Sequence, residues 1–192
     1  FNLIYSVTFG GFIGLASFLP TLFHDHYHIP KQSVGIYVTI GVIAASLLRV
    51  AGGWLSDHIG GIRLLYLLCG LILTGILLAS TMPSSPWTMA ALVALAMGAM
   101  GAGNGAVFQL VPLRFRDSTA VAGSLIGEIG ALAGGFLPNA MGLGMKYFDS
   151  FTPGFLAGAA LTVASLIALA LVARRWTSTW VGAHGKAIED FG

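Results

Sequence analysis

The sequence predicts an all-α membrane protein with six transmembrane helices. Three observations carry that prediction. Six stretches reach the roughly 20 mostly apolar residues that a spanning helix needs. Only 8% of the 192 residues are charged, against about 25% in a soluble domain. Hydrophobic residues make up 56% and the mean hydropathy is +0.87, so too few polar side chains exist to cover a soluble surface.

The first span runs from Phe1 to Phe23 and ends at the polar stretch His24 to Gln32, which contains Pro30. The second, Ser33 to Leu55, ends at Ser56 to Arg63, where Gly60 and Gly61 mark a turn. The third, Leu64 to Met82, stops at Pro83 to Pro86. The fourth, Trp87 to Pro112, is unusually rich in glycine and stops at Leu113 to Thr119. The fifth, Ala120 to Met145, gives way to Lys146 to Thr152. The sixth, Pro153 to Ala173, is followed by a tail over 174–192 that mixes Trp176, Trp180, Lys186, Glu189 and Asp190 without helical periodicity. The expected organisation is a six-helix domain over 1–173 and a cytoplasmic tail over 174–192.

The spans nearly use up the length, which leaves no room for a sizeable soluble domain. A net charge of +2 and the lack of a basic arm argue against nucleic acid as a partner. The lone Cys69 lies inside an apolar run, so neither a disulfide nor a cysteine-based metal site is implied. The chain opens at Phe1 inside an apolar run and shows no signal peptide, so it reads as a piece of a longer polypeptide or an incomplete record. Of the nine Lys and Arg residues, Arg63, Arg114, Arg116, Arg174, Arg175 and Lys186 fall on one side of the bilayer. Lys31 and Lys146 fall on the other, and Arg49 lies within a span. The positive-inside rule makes the six-charge side cytoplasmic, with both ends of the segment there.

Two charges lie deep in the apolar runs. Arg49 is about 10 Å from the cytoplasmic end of its span at 1.5 Å per residue. A charge at the bilayer centre costs roughly 2.5–3.5 kcal/mol on insertion scales. Ala45, Ser46, Gly52 and Gly53 lie three and four residues away on the same face, and small residues mark a face packed against protein. Arg49 then binds an anion in a cavity, forms a structural ion pair, or snorkels to the interface. Glu128 lies at similar depth beside a glycine face of Gly123, Gly127, Gly130 and Gly134. A protonated carboxyl, an ion pair and a proton-coupling site all remain open for it.

In the fourth span Gly98, Gly101, Gly103 and Gly105 surround Asn104, about 15 Å from Arg114 along the helix. Glycines there can serve close helix packing, with Asn104 hydrogen-bonding across the interface. They can equally clear space beside a narrow pathway, with the Asn104 amide donating to an oxyanion. The residues alone favour neither.

The segment Gly52-Gly53-Trp54-Leu55-Ser56-Asp57-His58-Ile59-Gly60-Gly61-Ile62-Arg63 resembles the loop pattern of the major facilitator superfamily, with Gly53, Asp57, Gly60 and Arg63 in the recurring places. Asp57 could cap the following helix or pair with a cation during gating, and the glycines suit a tight turn. Gly103-Asn104-Gly105-Ala106-Val107-Phe108 resembles the nitrate signature of that superfamily's nitrate/nitrite porter family. Leu48-Arg49-Val50-Ala51-Gly52-Gly53 with Ser56-Asp57 is similar to that family's anion-binding arginine segment. The run from Tyr5 to Gly14 resembles its seventh helix, and Gly134-Gly135-Phe136-Leu137-Pro138 its eleventh. The resemblance extends in order from Tyr5 to Pro138, as in the C-terminal six-helix half of a major facilitator fold.

This resemblance implies a secondary transporter of nitrate or nitrite, by anion exchange or proton-coupled uptake, in the cell membrane. Arg49 would clamp the anion, since its planar fork suits a planar oxyanion. Tyr5 and Phe9 would wall the site, while Asn104, Gly103 and Gly105 line the passage. Gly53, Asp57, Gly60 and Arg63 would form a gating loop. The family's second arginine and second signature would lie in an N-terminal half absent from this chain. Glu128 matches no functional residue of the family, but the eleventh helix borders the second in this superfamily, so Glu128 could face that arginine.

No cofactor or metal is expected. His24, His26 and His28 alternate as on one face of a strand, but in a short loop beside Pro30 they read as solvated histidines. Trp176 and Trp180 with Arg174 and Arg175 suit anchoring at the bilayer interface. A membrane enzyme would need a convergent nucleophile, base or metal set, and only Arg49 and Glu128 are deep charges. The alternative transport reading is a major facilitator exporter of another small solute, which would need a roomier and more polar cavity.

Overall fold

In the computed structural model, which describes residues 1–181, six helical units are long and apolar enough to cross a membrane. They are α1 (Asn2–Asp25), α2 (Lys31–Ile59), α3 (Gly61–Ser80), α4 (Pro86–Arg114), a broken span made of α5 (Thr119–Ala133) and α6 (Phe136–Phe148), and α7 (Thr152–Thr179). The helices overrun the apolar stretches that announce them. α2 gains a turn at its C-terminal end, and α7 continues from Ala173 to Thr179 through what the sequence presents as an irregular tail. Lys186, Glu189 and Asp190 lie outside the described residues.

Short connections make successive helices antiparallel. Arg63, Arg114, Arg116, Arg174 and Arg175 therefore gather at one end of the bundle, with Lys31 and Lys146 at the other. An aromatic cluster closes the arginine end: Phe1 stacks on Trp176 at 4.7 Å and lies 6.2 Å from both Phe115 and Trp180. At the opposite end the Tyr27 hydroxyl donates to the Pro83 carbonyl at 2.6 Å, and Thr152 Oγ1 donates to the Ser80 carbonyl at 2.9 Å.

Glycine lets two helix pairs pack backbone to backbone. α2 and α4 form the most extensive contact of the bundle. A Cβ at Gly101 would land on the Ala45 carbonyl, one at Gly52 on the Ala102 carbonyl, and one at Gly105 on the Arg49 carbonyl. The two backbones therefore touch at three points between Ala45 and Gly52 of α2, which only small residues permit. α1 meets the broken span in the same way. A Cβ at Gly10 would lie 2.8 Å from the Gly130 carbonyl oxygen, and one at Gly14 would lie 2.9 Å from that of Gly134. α3 packs behind α4 and α7, away from these seams.

Three backbone irregularities shape the bundle. Ser6–Gly10 is a π-helical turn within α1. The fifth span breaks at Gly134-Gly135, where Pro138 has no N–H and its ring blocks the bond to the Gly134 carbonyl. Gly60, with φ 93° and ψ 127°, turns α2 into α3 in a single residue. That conformation is accessible essentially only to glycine.

Candidate functional site

The glycine seam between α2 and α4 fixes where Arg49 points. Its carbonyl lies against Gly105, so its backbone is held by α4 while the side chain leaves the seam. The guanidinium carbon sits 5.9 Å from the centre of the Phe9 ring, within cation–π range. It also lies close enough to Tyr5 for its charge to act on the phenol. Tyr5 and Phe9 stack at 5.1 Å with 23° between their planes. Phe108 of α4 meets Tyr5 edge-on at 5.2 Å and 78°. Behind Tyr5 lies Gly130 of α5, where a Cβ would overlap the ring. α1, α2, α4 and α5 thus converge on an aromatic cluster of Tyr5, Phe9 and Phe108, with the guanidinium over Phe9.

The π turn has a local role in this geometry. It spans the residues just after Tyr5, includes Phe9, and widens the helix by one residue. Thr8, in the same turn, is fully buried with its methyl against Gly103. Thr8 Oγ1 and the buried Asn104 Oδ1 are both without hydrogen-bond partners. Orphaned polar atoms are costly in a dry interior.

The structure brings Tyr5, Phe9 and Arg49 together and sets the glycine-asparagine run behind them, against backbone and Thr8. Asn104 and Gly103 are buried at the α1–α4 contact, and Gly105 is occupied by the Arg49 backbone. These residues support the wall of the site; their side chains do not face the open surface. Arg49 itself is exposed on a bare face, beside exposed Ser46 and Val50, and is not enclosed as its depth suggested. Among the described residues it forms no ion pair. Glu128 is also exposed and is likewise unpaired among the described residues. Of its glycine face, Gly123, Gly130 and Gly134 pack against neighbours, while Gly127 meets nothing within 4 Å.

The gating-loop residues are placed differently from expectation. Asp57 is within α2 and does not cap α3, whose N-cap is Gly60 and has no side-chain hydrogen bond. Asp57 and Arg63 are both exposed, and Gly53 sits in ordinary contact with Gly105. His24 ends α1 on a helix and not on a strand, its Nδ1 2.9 Å from the Ile29 carbonyl oxygen. No group of three metal-ligating side chains occurs among the described residues.

Sequence reasoning missed Phe108, Thr8 and the buried Ser56–Gln109 bond, in which Ser56 Oγ donates to Gln109 Oε1 at 2.9 Å. Phe108 falls one helical turn after Asn104, but its pairing with Tyr5 exists only through the contact between α1 and α4.

The sequence model of the Major Facilitator Superfamily matches residues 1–138, which include the whole of this site. The chain belongs to that superfamily, a class of membrane transport proteins and not of enzymes. Its curated relatives put it with the superfamily's nitrate/nitrite porters. It is 32% identical to the nitrite extrusion protein of Bacillus subtilis over 86% of this chain and 42% of the relative. It is 33% identical to the probable nitrate/nitrite transporter NarK2 of Mycobacterium tuberculosis, over 92% and 43% of the two chains. The identity is also 33% to the probable nitrate/nitrite antiporter NarK1 of Thermus thermophilus, over 72% and 35%. The chain spans roughly two fifths of the length of these relatives.

Proposed function

We propose that this chain is the C-terminal six-helix half of a secondary transporter that carries nitrate and nitrite across the cell membrane by alternating access. The observation that carries the reading is the Arg49 guanidinium, held over Phe9 beside Tyr5 on an open face with no carboxylate partner among the described residues. An unpaired cation at that depth calls for an anion. The planar fork of arginine matches a planar oxyanion through two parallel N–H bonds. The Tyr5 hydroxyl can donate to the same anion. The rings of Tyr5 and Phe9 wall the guanidinium on one side and leave its open side for the anion.

The bare faces of α2 and α5, with exposed Arg49 and Glu128, are where an N-terminal six-helix half would close the pathway. That half is the expected partner, and relatives more than twice as long fit it. The clustered arginines support an orientation with both ends of the segment cytoplasmic, by the positive-inside rule. Nitrate and nitrite each carry one negative charge, so strict exchange is electroneutral, whereas nitrate uptake alone needs a coupled cation.

Uptake of labelled nitrate by the complete polypeptide in liposomes tests the reading. Uptake driven by internal nitrite without a proton gradient supports exchange, and uptake requiring the gradient supports coupling. No uptake under either condition refutes nitrate transport. Glu128 is proposed to face a cation of the other half and to couple proton movement; Glu128→Gln should then abolish the pH dependence of uptake, and an unchanged pH profile removes that role.

A further inference from the structure

A cavity of about 850 Å³ lies at the arginine end of the bundle, where α4 passes to α5 and α7 finishes, away from Arg49. We propose that it binds the phosphodiester headgroup of an anionic membrane phospholipid. Its volume falls within the range of about 300–1,000 Å³ typical of small-molecule sites. Arg114, Arg116 and Arg175 line it, with Asp117 as their counter-charge. Arg114 and Arg116 reach the cavity from two sides of a bend. Phe115, at φ −123° and ψ 57°, ends α4, and Arg116 opens a short 3-10 turn. Neither arginine is ion-paired with Asp117 among the described residues, so cationic charge remains for a ligand. Arginine suits a phosphodiester because its fork takes two oxygens at once.

The walls point to a lipid and not to a free anion. Leu171 and Val172 of α7 line the cavity beside the cations. Val163, Ile167 and Leu171 are exposed and follow one another at intervals of four, with Arg175 next in the same series. One face of α7 is therefore an apolar stripe about 12 Å long that ends in a cation. An acyl chain along that stripe would bring its headgroup to the arginines. Trp176 and Trp180, 5.2 Å apart, complete the wall with indoles of the kind found at the bilayer interface. Basic pockets between helices at this depth are the usual setting for anionic headgroups.

The test is lipid binding to the purified full-length protein, by native mass spectrometry and by thermal shift. Phosphatidylglycerol, phosphatidylcholine and inorganic phosphate are compared. The proposal expects retention of phosphatidylglycerol over phosphatidylcholine, with affinity falling about fivefold for each of Arg114→Gln and Arg116→Gln. Asp117→Asn should tighten binding, a change of opposite sign that a folding defect would not produce. Equal retention of both lipids overturns the proposal. So does unchanged affinity in the arginine variants. Inorganic phosphate that matches the phosphatidylglycerol shift would make this a soluble-anion site and overturn the lipid assignment.

Discussion

Gly105→Ala separates a packing role for the glycine run from a lining role. A Cβ there would overlap the Arg49 carbonyl and lie 2.6 Å from the Gly53 nitrogen, where ordinary contacts begin at 3.4 Å. Both neighbours are backbone, so no side chain can swing away. α2 and α4 must separate instead, and a gap of roughly 0.5–1 Å forfeits a quarter to a half of the dispersion energy in the contacts it opens. Overpacking of this kind costs about 1–3 kcal/mol. The same shift carries the Arg49 backbone away from Phe9, so anion affinity should fall together with stability. Gly127→Ala is the control, since nothing lies within 4 Å of its added methyl. The assay is thermal unfolding of the purified protein in detergent, followed by tryptophan fluorescence, with nitrate binding measured in parallel. Gly105→Ala should melt lower and bind more weakly, while Gly127→Ala matches the parent. If the two variants melt together, the backbone seam does not hold the site.

The Ser56–Gln109 bond should appear as a coupling energy of about 0.6–2 kcal/mol in a Ser56→Ala, Gln109→Leu double-mutant cycle read by unfolding; additive effects would show the bond is not made. Tyr27 offers a pH signature outside the spans. Burial pushes its phenol up to about 12, while an unfolded tyrosine releases its proton near 10. Between those values the folded state holds the proton more tightly, so stability should fall as pH rises through that window. The ultraviolet titration difference between the parent and Tyr27→Phe should have its midpoint near 12, and a midpoint near 10 would contradict the burial.

Much of the fold was legible because spanning a bilayer demands length and apolarity, and both are written residue by residue. What a hydropathy window cannot read is backbone hydrogen bonding. The π turn at Ser6–Gly10 and the break at Gly134-Gly135 sit inside apolar runs that look continuous. α7 passes Ala173 because Arg174, Arg175 and Trp176 end the apolar run without ending the helix. At the site, Tyr5, Phe9 and Arg49 were legible because an arginine deep in a span needs a reason and two aromatics four apart share a face. The burial of Asn104 was not legible, since a polar residue among glycines suits a passage and a packed seam equally. The choice depended on Ala45, Arg49 and Thr8 across the interface, which no local pattern reveals. Asp57 failed as a cap because α2 runs two residues beyond it, to Ile59, leaving the turn to Gly60 alone.

The central claim is that the Arg49 fork, and not its charge alone, holds the anion. Nitrate affinity of the complete polypeptide with Arg49→Lys tests this most directly, by isothermal titration beside the parent and Arg49→Gln. Lysine keeps the positive charge but replaces the planar pair of donors with a point charge. The account predicts that Arg49→Lys binds nitrate at least tenfold more weakly than the parent, with Arg49→Gln weaker still. Parent-like affinity in Arg49→Lys would contradict it.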